Sequence, residues 1–94
     1  MEAKSIYKVP DGKLLKITLE FDGKIKKVKL TGDYFIYPEE ENDAIEKCLV
    51  GKEFNRENLV DEIKKTVQER NIELFGLNAE AIVEAIFLAK EGKK

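Results

Sequence analysis

The chain has 94 residues, 43% of them hydrophobic and 38% charged, with a formal net charge of -2. That describes one small globular domain, 1–94, whose charge balance demands neither nucleic acid nor an anionic membrane as partner. It holds no histidine and a single cysteine, Cys48, so histidine acid–base chemistry, an internal disulfide and a zinc or iron–sulfur site built on several Cys or His ligands are all excluded.

No apolar run approaches the roughly 20 residues a membrane span needs. The first twelve residues lack the apolar stretch of a signal peptide, so a cytoplasmic location is expected. Neither GxxxxGK[ST] nor GxGxxG occurs, and the usual phosphate cradles are therefore missing.

In chain order, residues 5–9 alternate in a short segment closed by the turn Pro10-Asp11-Gly12, in which proline presets φ and glycine accepts a positive φ. Residues 13–21 place Leu15, Ile17, Leu19 and Phe21 on one face and Lys16, Thr18 and Glu20 on the other, a period of two that predicts a half-buried strand. Asp22-Gly23 signals a hairpin. In the return strand, 24–31, the alternation breaks at Lys26-Lys27. A bulge there restores it, with Ile25 set against Leu19 and Val28 against Ile17; the alternative is a plain two-residue turn that leaves Ile25 in solvent.

After Gly32-Asp33, residues 34–37 read as a third short strand of aromatic and β-branched side chains. Pro38 opens a helix whose acidic first turn suits the helix dipole. Ile45, Cys48 and Leu49 share one face of it, and Gly51 ends it. Asn55 and Asn78 cap two further helices, each with a hydrophobic staple: Phe54 with Leu59, and Leu77 with Ile82. The Lys-rich tail after Lys90 is expected to fray. Strands followed by helices argue an α+β fold: an antiparallel three-stranded sheet, made of the hairpin plus a short strand, packed by three helices.

Four features bear on chemistry. The hairpin lysines Lys13, Lys16, Lys24, Lys26, Lys27 and Lys29 suit phosphate or an acidic partner, or simply keep a wet strand face soluble. They include no arginine and no interleaved aromatics, which argues against nucleic acid. The acidic residues Glu39–Glu41, Asp43 and Glu46 fit a dipole role better than a shared proton or Mg²⁺. Cys48 sits on an apolar stripe and reads as a small hydrophobe. In Gly32, Asp33, Tyr34, Phe35 and Tyr37, one set of rings faces the core and the other suits a docking surface. The parts of a free-standing enzyme are missing, which leaves a subunit docking onto a catalytic partner or a small binding or scaffold protein.

The order of short motifs resembles a known family. Gly12-Lys13-Leu14, Gly23-Lys24-Ile25, Gly32-Asp33-Tyr34-Phe35 and Tyr37-Pro38-Glu39-Glu40, followed by Glu46, Leu49 and Gly51, are similar to the C-terminal accessory domain of lipoate–protein ligases. The likeness is closest to the stand-alone archaeal small subunit of the bipartite ligase. It covers residues 7–51, with Tyr34 in place of the family's first phenylalanine. It implies a SufE/NifU-like fold and an accessory role, not catalytic alone, in activating lipoate with ATP to lipoyl-AMP before transfer to an acceptor lysine.

The resemblance implies a heterodimer with the large catalytic subunit, which would hold ATP, Mg and lipoate, so that this chain binds no cofactor alone and meets the lipoyl acceptor domain only indirectly. It implies a nucleotide or partner contact at Lys13, with Lys24 and Lys27 as further candidates, and docking by Gly32, Asp33, Tyr34, Phe35 and Tyr37. The alternatives are a SufE/NifU-like sulfur or iron–sulfur carrier, which needs an exposed reactive cysteine, and a generic docking domain.

Overall fold

The computed structural model describes residues 1–92, in the order β1 (Glu2–Lys8), β2 (Leu14–Asp22), β3 (Lys24–Gly32), β4 (Phe35–Tyr37), α1 (Glu41–Cys48), α2 (Arg56–Glu69), β5 (Glu73–Phe75) and α3 (Ala79–Lys90). Lys93 and Lys94, the end of the tail expected to fray, lie outside the described residues.

Strands β1, β2 and β3 form an antiparallel sheet in that order. The alternation of β2 does what its period demands: Leu15, Ile17 and Leu19 are buried, while Lys16 and Glu20 face water. The bulge in the return strand is present. Glu20 pairs with Lys27 and Phe21 with Ile25, which leaves Lys26 as the extra residue. Ile25, Val28 and Leu30 are thereby all turned inward. The pairs themselves sit two residues from the expected ones, Ile25 against Phe21 and Val28 against Leu19. A shift of two preserves the face, so the core is unchanged.

The three-stranded antiparallel sheet and three helices are as expected, but the short strand joins differently. The third strand of the sheet is β1, paired along its length with β2. β4 leaves the sheet and pairs with β5 in a two-stranded ribbon, Phe35 opposite Phe75 and Tyr37 opposite Glu73. The chain departs at Gly32, whose φ of +144° lies in the glycine-favouring region. In the first turn the positive φ falls on Asp11 rather than Gly12, and aspartate tolerates it through local hydrogen bonding.

Helix α3 lies on the inner face of β1 and β2. Its small residues Ala81, Ala85 and Ala89 are buried, and the buried Ser5 hydroxyl donates to the Ala85 carbonyl at 2.7 Å. Helix α2 packs on α1 and α3. Both asparagine caps are made: Asn55 accepts from the Asn58 N–H at 3.0 Å and Asn78 from the Ala81 N–H at 2.7 Å. Each contributes about 1 kcal/mol.

Helix α1 begins at Glu41, after a turn at Pro38–Glu40, rather than at Pro38. It and the segment after it cover the outer edge of β3. Leu30 N–H donates to Glu46 Oε2 at 2.7 Å, Ile25 N–H to the Lys52 carbonyl at 2.9 Å, and Gly51 N–H to the Ile25 carbonyl at 2.7 Å. An edge that would otherwise invite pairing is closed.

Candidate functional site

Most of the motif residues meet at one end of the sheet. The β1–β2 turn carries Gly12 and Lys13, β3 ends there in Gly32, and the β4–β5 ribbon begins just beyond. Lys13 is held by its backbone: its N–H donates to the Gly76 carbonyl at 2.9 Å, and its own carbonyl accepts from Val9 N–H at 3.1 Å.

The stem of Lys13 lies across Gly76, where a Cβ would stand 2.5 Å from Lys13 Cγ. On the other side a Cβ at Gly12 would stand 2.5 Å from the Gly76 carbonyl oxygen. The two glycines thus permit a close approach that larger residues forbid. The Lys13 ammonium has no ion-pair partner among the described residues. Its charge is available to a ligand from outside the chain.

Gly32 serves the same junction. A Cβ there would stand 2.2 Å from the Leu14 carbonyl oxygen, and the Asp33 N–H donates to that carbonyl at 3.0 Å. Gly12-Lys13-Leu14 and Gly32-Asp33, 18 residues apart in sequence, are therefore one backbone-to-backbone contact.

The aromatic residues divide by face. Tyr34 turns inward: its hydroxyl donates to Asn42 Oδ1 at 2.7 Å. Asn42 Nδ2 donates to the Leu30 carbonyl and to Glu46 Oε2, each at 3.3 Å. Burial, with the Glu46 carboxylate nearby and against the Asn42 hydrogen bond, pushes the Tyr34 phenol up to about 12. Tyr34 is thus a structural tie between the β3 exit and α1. Phe35 and Tyr37 point out, 47% and 57% exposed, while Ile36 between them is buried. Phe75 of β5, 48% exposed, packs against Phe35 with ring centroids 5.9 Å apart.

Lys24 and Lys27 do not join Lys13. They lie at the far end of the hairpin, about 25 Å away along a nine-residue strand at roughly 3.3 Å per residue. Lys24 forms an isolated bridge with Glu53, and Lys27 faces Glu20 across the sheet. A single ligand phosphate cannot touch all three lysines.

Sequence reasoning missed Phe75 and Gly76. Their only local signal is an apolar pair, Leu74-Phe75, closed by a glycine between two helices.

Cys48 is half-buried; its Sγ donates to the Ile45 carbonyl at 3.1 Å, and burial pushes the thiol pKa up. A reactive thiolate is disfavoured by that setting. Glu41 is paired with Arg70 and Glu46 holds the β3 edge. Among the described residues no group of three or more His, Cys, Asp or Glu side chains could hold a metal ion, and no helix is long and apolar enough to cross a membrane.

No protein-family model matches the chain. Over 74 residues, 78% of its length, it is 26% identical to lipoate–protein ligase A subunit 2 of Thermoplasma acidophilum, of which the match covers 76%. In fold it superposes on a chain from an archaeal lipoylation system, described as a bi-partite lipoate protein ligase and its E2 lipoyl domain from the same organism. The TM-score is 0.76 at 28% identity, covering 92% of this chain and 94% of that one. The resemblance to the ligase small subunit is borne out. Three of the motifs that carried the likeness are joints of the fold: Gly12-Lys13 against Gly76, Gly32-Asp33 against Leu14, and Glu46 against Leu30.

Proposed function

We propose that this chain is the accessory subunit of a bipartite lipoate–protein ligase, forming a heterodimer with a large catalytic subunit in the cytoplasm. In that assembly it supports the ATP-dependent activation of lipoate to lipoyl-AMP, which precedes transfer to a lysine of an acceptor protein. ATP, Mg and lipoate belong to the catalytic subunit. The observation that carries this reading is the match in fold over nearly the whole of both chains, with a bi-partite ligase as the system on the other side.

The end of the molecule bearing Lys13, Phe35 and Tyr37 is the part we assign to the catalytic subunit. When a carboxylate attacks the α-phosphate and pyrophosphate departs, negative charge builds on the phosphoryl oxygens. An ammonium fixed beside them stabilises that charge more than the ground state. Lys13 has the fixed backbone and unpaired head that such a role requires. Gly32, Asp33 and Tyr34 serve by shaping this end, and Lys24 and Lys27 by contacts elsewhere on the partner. The setting of Cys48 gives no support to a sulfur-carrier reading.

The test is assembly. Mixed with the catalytic subunit of its own organism, this chain is expected to co-elute from a sizing column as a one-to-one complex. Two separate peaks at micromolar concentration would contradict the proposal.

A further inference from the structure

Helix α3 lies against the inner face of the three-stranded sheet, α1 packs on β3, and α2 packs on those two helices, so the sheet's other face is open. The register lays out that face in rows: Glu2–Glu20–Lys27, Lys4–Thr18–Lys29 and Ile6–Lys16–Thr31, with Lys8 beside Leu14 at the end. It carries five lysines and two glutamates, in a chain whose net charge is -2. None of the five lysines has an ion-pair partner among the described residues. On the helical side most cations are paired: Lys47, Lys52, Arg56, Lys64 and Arg70 each face a carboxylate. The open face thus keeps a net positive excess, five lysines against two glutamates.

On the edge strand β1 this face also carries Ile6, 58% exposed, beside a shallow depression of about 480 Å³ that Lys4, Lys16, Thr18 and Thr31 also line. An exposed apolar side chain among polar ones is a common element of protein interfaces.

We propose that the open sheet face is the surface that meets the catalytic subunit, and that the facing surface of that subunit is acidic. The proposal rests on the functional reading above and extends the contact from the ribbon end across the sheet face. Two arguments carry it. The first is charge complementarity, since five unpaired lysines fit carboxylates and repel a second copy of the same face. The second is area. Three half-exposed rings at the ribbon end supply about 300 Å², given 150–250 Å² for a whole aromatic side chain, whereas a stable complex takes about 800 Å² a side. A sheet of three strands about 4.8 Å apart and about 25 Å long adds roughly 350 Å² in projection. It is continuous with the ribbon end through Thr31, Gly32 and Asp33. A phosphodiester partner is the poorer fit, because the face has neither arginine nor an aromatic side chain for bases to stack on.

The experiment is titration calorimetry of this chain against the catalytic subunit of its own organism. Wild-type affinity should fall about tenfold or more between about 50 and about 300 mM NaCl, as screening shortens the reach of the lysines. The double variant Lys16→Glu, Lys29→Glu should weaken binding by a further factor of about ten or more, and Lys65→Glu on α2 by less than about twofold. Circular dichroism before each titration confirms that the variants fold.

Equal affinity of the double variant and the wild type would overturn the proposal and leave the subunit reading standing. No binding by the wild type would overturn both. Loss of retention of a single-stranded RNA probe by the double variant, with subunit binding unchanged, would also overturn it and assign the face to nucleic acid.

Discussion

Lys13 and Tyr34 come from the same set of short motifs, and the fold uses them in opposite ways. Lys13 has its backbone locked to Gly76 and Val9 and its ammonium unpaired. Lys13→Ala should therefore leave stability nearly unchanged and slow pyrophosphate release by the assembled ligase roughly tenfold or more, with arginine restoring part of the rate. An unaltered rate in Lys13→Ala would remove this residue from the reaction.

Tyr34 is spent internally. Its hydrogen bond to Asn42 is worth about 1 kcal/mol, so Tyr34→Phe should lower the midpoint of thermal unfolding by about 4–8 °C near neutral pH. The pH dependence has a definite sign. The folded phenol titrates at about 12 against the usual 10.0, so the native state keeps a proton that the unfolded chain releases. The resulting stability is fully present below about pH 10 and is lost as pH rises toward about 12. Thermal melts of wild type and Tyr34→Phe across that range should converge, and a constant gap would refute the assignment.

At the scale of elements, the hairpin is defined by its bulge. Lys26 is the extra residue, so deleting it leaves Ile25, Val28 and Leu30 on the core face. Deleting Lys29 instead turns Ile25 and Val28 outward relative to Leu30. The first deletion should fold, with a melting midpoint within about 8 °C of wild type, and the second should fail to fold; calorimetry of both checks the register. Gly32→Ala meets the Leu14 carbonyl at a φ that side chains rarely adopt, and should cost about 2 kcal/mol or more in urea unfolding.

These elements also show what the sequence makes legible. The period of two in 13–21, the break at Lys26-Lys27 and the capping asparagines are local signals, and local signals set strands, the bulge and helix starts. Partners in space are not local. Residues 34–37 read as a strand and Phe35–Tyr37 form one, but its mate Glu73–Phe75 has three residues and no alternation to announce it. For the same reason Lys13, Lys24 and Lys27 look alike in sequence, and only the direction of β2 puts Lys13 at one end and the other two at the opposite end. Gly76, which fixes Lys13, is 63 residues away from it in the chain.

At the scale of the molecule, a modest core with rings exposed at one end, lysines across one sheet face and paired charges on the helical side describes a body built to be held by another protein. On our proposal that protein is the catalytic subunit of a bipartite lipoate–protein ligase, to whose small subunit this chain is similar. The most direct measurement is lipoate-dependent pyrophosphate release by the catalytic subunit alone, by this chain alone, and by the two together. The account predicts release only from the mixture, saturating at one chain per catalytic subunit. Full activity of the catalytic subunit alone, unchanged when this chain is added, would contradict it.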